Sequence, residues 1–300
     1  MNNLSLLDNV KPRMINGKIV WAGAPSMMQY FNLPESIIYY MAMNPSTPEV
    51  YQKLIQCCKY FFEKNPILVA VDMDGKTKIC SNDAATCRKK RRKCCIDIDM
   101  KKVSCNIWVT DTICLTNENI SIFSSLIFPK LYRWKMVHLY SHCSDVLYNE
   151  FKSCASFLTE IDFFMARIIN DDGSMVMLDK ILEDTPNIKT FKYSFGHDLS
   201  MINAATMKNI CELKNLKHLK TFILSSLPDV LNVEDISTFI KDHPDTTIWL
   251  HHSITMSEEY KTQLDALVDT VIESEVPNRL IYYTGVNKEK YKTMEKFFQV

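Results

Sequence analysis

The sequence predicts an α/β protein in which a short helical module precedes a series of strand–helix units with parallel strands. In the second half of the chain, apolar residues recur in a similar spacing roughly every 30 residues, with helix-like stretches between them. Residues 31–62 instead carry two apolar runs at helical spacing, separated by a proline-rich turn. These patterns divide the chain into a lead segment (1–30), a helical module (31–66), a connecting segment (67–102) and an α/β domain (103–300).

The composition is that of a globular protein without a strong charge preference for any partner. Of the 300 residues, 47% are hydrophobic and 23% are charged, which is enough apolar surface for a sizeable core. Lys+Arg and Asp+Glu both number 35, so the overall charge favours neither nucleic acid nor a membrane as a partner. No apolar run approaches a membrane span, and the opening MNNLSLLDNVKPR lacks the features of a signal peptide. We therefore expect a cytoplasmic or nuclear protein whose 11 cysteines are thiols.

The helical module is predicted from its caps and its apolar spacing. Pro34 suits an early position of the first helix, because the missing N–H costs nothing there. Thr47 is a predicted N-cap with Pro48 behind it, and the apolar spacing of the second helix continues to Phe62. Two short helices cannot cover this much apolar surface. Either the rest of the chain or a partner protein must cover it.

The same residues resemble an F-box, the short helical module that docks on the Skp-type adaptor of cullin–RING ubiquitin ligases. The resemblance lies in Leu33-Pro34-Glu35, in the following pair of isoleucines, and in the later run of Leu54, Cys58, Lys59 and Phe61. The whole chain also resembles, in the general character of its sequence, nematode F-box proteins of large paralogous families. The alternative is an ordinary helical hairpin that caps a domain. The resemblance implies adaptor contacts at Leu33, Pro34, Ile37, Ile38, Leu54 and Cys58.

The second half carries an internal repeat of the form Leu-x-x-Leu-x-Leu, with other apolar residues allowed. Four segments fit, with first residues 27, 30 and 31 positions apart: Leu131-Trp134-Met136, Leu158-Ile161-Phe163, Ile188-Phe191-Tyr193 and Leu219-Phe222-Leu224. Weaker members lie around Trp108, Trp249 and Ile281. Helices are expected over 146–157, 175–182, 201–213, 233–241, 258–272 and 288–298.

One strand and one helix per repeat resembles the leucine-rich repeat and implies an irregular, leucine-rich-repeat-like α/β solenoid with parallel strands. The pattern departs from that family where Asn or Cys usually follows the strand, because Leu139, Ala166, Gly196 and Leu227 stand there. A closed or flat α/β domain is the alternative. In both architectures the strands are parallel and linked by helices.

An enzymatic alternative rests on Asp72-Met73-Asp74-Gly75, which follows the apolar run Ile67–Val71. This arrangement resembles the first motif of haloacid-dehalogenase-like phosphatases. The resemblance implies Asp72 as nucleophile, Asp74 as acid/base, and a magnesium ion, for which the pair Asp171-Asp172 is the remote acidic candidate. Lys76 departs from the family pattern. The competing interpretation is a turn, which the same residue types favour.

The segment from Cys80 to Cys95 contains six consecutive cations, Arg88 to Lys93, flanked by cysteines. Such a run predicts an exposed, mobile loop and suggests nuclear import. The cysteines Cys80, Cys87, Cys94 and Cys95 are spaced by seven, seven and one, which does not match the paired spacing of zinc sites. No metal site is predicted here.

Histidine adds no site. His138, His142 and Cys143 have no evident fourth metal ligand, and His251 and His252 are adjacent in a predicted strand, so their side chains point to opposite faces. The sequence therefore predicts a non-enzymatic substrate receptor without catalytic residues, cofactor, membrane or nucleic-acid partner. Its partners are a Skp-type adaptor and an unknown target protein. The alternatives are the phosphatase and a repeat scaffold whose F-box has decayed.

Overall fold

The computed structural model describes residues 12–15, 18–21, 31–74, 78–80, 86, 89–90, 93–252 and 255–298. It is an α/β protein with a large, mostly parallel sheet. The chain forms two compact units, one of residues 1–113 and 125–135 and one of residues 114–124 and 136–300. Within the described ranges, no helix combines the length and apolar character needed to cross a bilayer.

The described part of the first unit contains a two-stranded hairpin, a group of short helices and further strands. The hairpin is formed by β1 (Pro12–Ile15) and β2 (Lys18–Trp21), and the helices are α1 (Glu35–Met43), α2 (Pro48–Cys57) and α3 (Lys59–Lys64). The strands are β3 (Ile67–Asp74), β4 (Lys78–Cys80), β5 (Cys95–Asp97), β6 (Asn106–Thr116) and β7 (Leu131–Arg133). Their order is β6-β3-β4-β5, with β7 also paired to β6, and β6 ends in the second unit. The predicted segments 31–66 and 67–102 therefore share one unit.

The cap of the second helix follows the sequence prediction, but this helix is shorter than predicted, and Pro34 precedes the first helix instead of lying within it. Thr47 caps α2, because its hydroxyl accepts a hydrogen bond from the Val50 N–H at 3.2 Å, and Pro48 is the first helical residue. The helix stops at Cys58, whose backbone is extended, and α3 begins one residue later with the Cys58 sulfur accepting from the Tyr60 N–H. The predicted helix to Phe62 is wrong, because helical apolar spacing continues across a break that only the backbone reveals.

The second unit is a series of strands and helices that alternate along the chain. It includes α4 (Ile120–Ile122) and the start of a π-helical turn (Phe123–Ile127). From residue 125 the chain belongs to the first unit again, so the following 3-10 turn (Phe128–Lys130) lies there. The strands that follow are β8 (Met136–His142), β9 (Asp145–Leu147), β10 (Glu160–Phe164), β11 (Arg167–Ile169), β12 (Thr190–Ser194), β13 (Thr221–Leu227), β14 (Thr247–His252) and β15 (Arg279–Tyr282). The helices are α5 (Tyr148–Ala155), α6 (Leu178–Glu183), α7 (Thr206–Cys211), α8 (Val233–Asp242), α9 (Glu258–Glu273) and α10 (Lys288–Phe297).

The strands β8, β10, β12, β13, β14 and β15 lie side by side in chain order, and each is parallel to the next. The predicted parallel pairing of successive units is confirmed. The strand predicted at 131–136 is wrong in register, because Leu139 pairs with Ile161 and the strand of that unit is Met136–His142. The third apolar position of this unit holds Ser141, which is buried, and this polar residue hid the correct register.

Alternate residues of these strands form the core of the second unit. Ile161 and Phe191 are fully buried, whereas their strand neighbours on the other face are only partly covered. In β13 both Phe222 and the next residue, Ile223, are buried. Arg279 at the start of β15 is also buried, and its guanidinium donates to the carbonyls of His243, Pro244 and Thr246. A buried cation is tolerated there because carbonyl oxygens replace its water.

Candidate functional site

The predicted adaptor-contact residues of the helical module fall into a buried set and an exposed set. Ile38 and Cys58 are 4% and 7% exposed and form a small core with Ala42 and Phe61, against which the half-buried Leu54 packs. An adaptor contact has to be accessible in the isolated chain, so the assignment of Ile38 as an adaptor contact is not supported by its burial. Ile38 and Cys58 hold the helices together, since their side chains are buried in the module's own core.

Leu33, Pro34 and Ile37 lie on the surface. Leu33 is 50% exposed, Ile37 is 47% exposed, and Tyr40, one turn further along α1, is 67% exposed. Because Ile38 and Ala42 point inwards, α1 is apolar on both its inner and its outer side. A helix that is apolar all round is normally covered on both sides, so this outer side, which we call the α1 face, has the character of a docking surface.

Polar contacts hold the helical module against the strands of its own unit. The Tyr51 hydroxyl donates to the Asn65 carbonyl and accepts from the Ile67 N–H, both at 2.8 Å, at the start of β3. The Asn65 side chain donates to the Ala42 carbonyl at the end of α1, and the Tyr132 hydroxyl donates to the Met43 carbonyl at 2.9 Å. Burial raises the pKa of Tyr51 to about 12, which keeps this hydroxyl protonated. The α1 face is therefore presented on a fixed support.

The second unit contains a separate candidate surface, the accessible face of its parallel sheet. The outward positions of successive strands align in register, with Tyr140 beside Asp162 and Asp162 beside Lys192. The row continues through Ile223, which is buried, to the half-buried Trp249. Tyr140 is 38% exposed, whereas the inward neighbour Leu139 is fully buried. Parallel sheets normally have both faces covered, so an accessible face on such a sheet is available for a partner.

Aromatic side chains dominate the row at the carboxyl ends of these strands. The row consists of His142, Phe164, Ser194, Ser225, His251 and Tyr282. His142 stacks on Phe164 with ring centroids 4.8 Å apart, and His251 stacks on Tyr282 at 5.1 Å. Exposed aromatic side chains that are already held by neighbours supply contact area at low entropic cost, as at protein interfaces.

A cavity of about 460 Å³ opens where β8, β10 and β12 end. Arg167 lines it and donates to both carboxylate oxygens of Asp145 at 2.7 Å, with Asp198 at 3.6 Å. These carboxylates neutralise the guanidinium, and Met165, Met175 and Met201 are also part of the lining. Methionine adapts its shape to apolar groups, so the cavity suits an apolar side chain rather than a phosphate.

The residues of the phosphatase alternative lie in a strand of the first unit and in a loop of the second. Asp72 and Asp74 lie within β3, and Asp72 stands opposite Cys80 in an antiparallel pairing. Asp171 accepts from Asn149 at 3.1 Å and Asp172 accepts from Ser174 at 2.9 Å in a surface loop. Where the structure describes side chains, no cluster of three metal-ligating groups contains any of these aspartates.

The structure describes part of the basic run and gives the burial of the paired histidines His251 and His252. Lys89, Lys90 and Lys93 are exposed, and Arg88, Arg91 and Arg92 lie outside the described residues, as does Cys87. His252 is buried and His251 is half-buried on the accessible sheet face, as strand alternation predicts. Neither ring nitrogen of His252 has a hydrogen-bond partner among the described residues.

The sequence pattern missed the aromatic row, although its signal was present. Phe164 and Tyr282 occupy outward positions next to the apolar positions of the repeat. The repeat pattern is defined by the inward apolar positions alone, so it does not include these two residues. Comparison with known proteins adds no further constraint, because the sequence matches no family model and no curated protein.

Proposed function

We propose that this chain is a non-enzymatic substrate receptor of a cullin–RING ubiquitin ligase, acting in the cytoplasm or the nucleus. Its α1 face binds a Skp-type adaptor, and its second unit, an irregular leucine-rich-repeat-like solenoid, binds a target protein. Catalysis then belongs to the ligase that the receptor joins. The accessible sheet face and the ordered parallel strands support a binding role for the second unit.

The observation that carries the proposal is the exposure of Ile37 and Tyr40 on a helix whose other side is already buried, together with the exposed Leu33 just before that helix. Exposed apolar side chains that adjoin one another are costly in water, and they are typical of surfaces that a partner covers. The fixed support under α1 favours binding, because little order has to be gained when the partner docks.

The target surface that we propose is the sheet face of the second unit together with the cavity at its edge. Phe164 and Tyr282 supply rigid aromatic contacts, and the methionine-lined cavity receives one apolar side chain of the target. The adjoining Asp162 and Lys192 present one charge of each sign, which favours a target segment with mixed charge.

The adaptor contact is tested by capture of a purified Skp-type adaptor on the immobilised full-length chain. The double variant Leu33→Ala/Pro34→Ala is expected to abolish capture, because it removes exposed apolar contacts without touching the buried core. Leu147→Ala is the matched control, since Leu147 is a 44% exposed leucine of the second unit. Circular dichroism verifies that both variants are folded. Undiminished capture by the folded double variant rejects the adaptor site.

A further inference from the structure

The two short strands β4 and β5 bring three cysteine sulfurs together. Cys80 ends β4 and stands directly opposite Cys95, which begins β5. The Cys80 thiol lies 3.2 Å from the Cys94 sulfur, and the sulfurs of Cys80, Cys94 and Cys95 all lie within 4.8 Å of one another. Cys94 precedes the strand, so strand alternation does not turn its side chain away from its neighbour.

We propose that Cys80, Cys94 and Cys95 form a binding site for a thiophilic divalent cation and that this ion is Zn²⁺. Sulfurs bound to one zinc ion at about 2.3 Å stand about 3.8 Å apart in a tetrahedron, so small side-chain movements suffice. Three thiolates leave the fourth position to a water molecule. This proposal is independent of adaptor binding.

The surroundings of the three thiols suit such a site. Cys80 is buried and the other two are half-buried, which shields the sulfurs from bulk water. Three thiolates around Zn²⁺ carry one net negative charge, and the exposed Lys93 is the residue before Cys94. Strands of three residues gain little from their own pairing, so a metal bond between them supplies the stability that a short hairpin lacks.

The pairing of β4 with β5 forms this group of cysteines, although their spacing in the sequence does not match that of known zinc sites. Zinc sites are usually recognised by two cysteine pairs, whereas here the antiparallel pairing of β4 with β5 brings a single cysteine next to an adjacent pair. The metal closes the chain between Cys80 and Cys94, the segment that contains the six consecutive cations. Zn²⁺ therefore fixes the base of this basic segment.

The test uses the purified full-length chain, reduced and freed of metal, and titrated with Co²⁺ as a spectroscopic probe. The expected result is one Co²⁺ per chain, with thiolate charge-transfer absorption and the intense visible bands of a tetrahedral ion, both lost when Zn²⁺ is added. Cys80→Ser/Cys94→Ser is expected to lose this spectrum. The control variant Cys57→Ser/Cys143→Ser changes two exposed cysteines and is expected to keep it.

A second measurement does not depend on the folding of the variants. Zn²⁺ is expected to slow alkylation of Cys94 and Cys95 in the wild-type chain, as read from peptide masses, and to leave Cys143 unchanged. A wild-type chain that binds no Co²⁺, or equal alkylation of Cys94 with and without Zn²⁺, overturns the site. Formation of a Cys80–Cys94 disulfide in place of metal binding under reducing conditions also overturns it.

Discussion

At the scale of single residues, Ile37 and Ile38 have opposite roles although they are adjacent and chemically identical. Ile38 is buried with Ala42, whereas Ile37 is 47% exposed on the α1 face. Helical geometry separates neighbours by about 100° around the axis, so one of two adjacent isoleucines faces inwards and the other outwards. The F-box resemblance named both residues as adaptor contacts, and only the backbone assigns one of them to the core.

His252 is a residue whose burial predicts a dependence of stability on pH. Burial lowers its pKa to about 4, because the charged imidazolium is poorly solvated inside the protein. The unfolded chain therefore binds this proton at higher pH than the folded chain, and stability decreases as the pH falls from about 6.5 to about 4. Above about pH 6.5 the contribution of His252 to this dependence vanishes.

The measurement is urea unfolding of the wild type and of His252→Leu at pH 7.5 and pH 5. The wild type is expected to lose about 2 kcal/mol more of its free energy of unfolding than the variant between these values. The subtraction removes the contributions of the other titrating groups, including His251, whose pKa burial also lowers. The same loss in both proteins contradicts a neutral, buried His252.

At the scale of elements, β10 tests whether the sheet has one buried and one accessible face. Phe163 and Phe164 are consecutive in this strand, and they are 1% and 41% exposed. Phe163→Ala is expected to cost about 3–5 kcal/mol, because it leaves a cavity in the core. Phe164→Ala is expected to cost about 0.5 kcal/mol or less, as for most surface positions.

Chemical unfolding of the two variants, with the wild type alongside, measures this difference directly. If the second unit binds its target through the accessible face, Phe164→Ala also weakens target binding while the protein stays folded. Equal destabilisation by the two substitutions means that both faces of β10 are covered, and the proposed target surface is then lost.

The elements also show where sequence reasoning succeeds and where it stops. The order and parallel pairing of β10, β12 and β13 were predictable, because each strand carries the same apolar spacing and burial selects those side chains. The hairpin of β3 and β4 was not predictable. Asp72 and Asp74 favour turns, yet they lie in β3, where pairing with β4 supplies the backbone hydrogen bonds. The convergence of Cys80 with Cys95 depends on a separate pairing, that of β4 with β5, which joins residues distant in the sequence.

At the scale of the whole molecule, a receptor of the proposed kind needs no chemistry of its own. The absence of hydrolysis is a prediction: the purified chain is expected to show no magnesium-dependent hydrolysis of a generic phosphate ester. Asp72 and Asp74 lie in β3, and no described carboxylate completes a magnesium site around Asp72. Activity that disappears in Asp72→Asn promotes the phosphatase alternative and rejects the receptor.

We propose that the α1 face binds a Skp-type adaptor, and a calorimetric titration of the adaptor into the purified chain measures that binding. We predict saturable binding with one adaptor per chain. Ile37→Asp is expected to abolish this binding, because it places a charge in an apolar contact, whereas Leu147→Asp on the second unit is expected to preserve it. No binding by the folded wild-type chain, or equal binding by Ile37→Asp, rejects the α1 face as an adaptor-binding site.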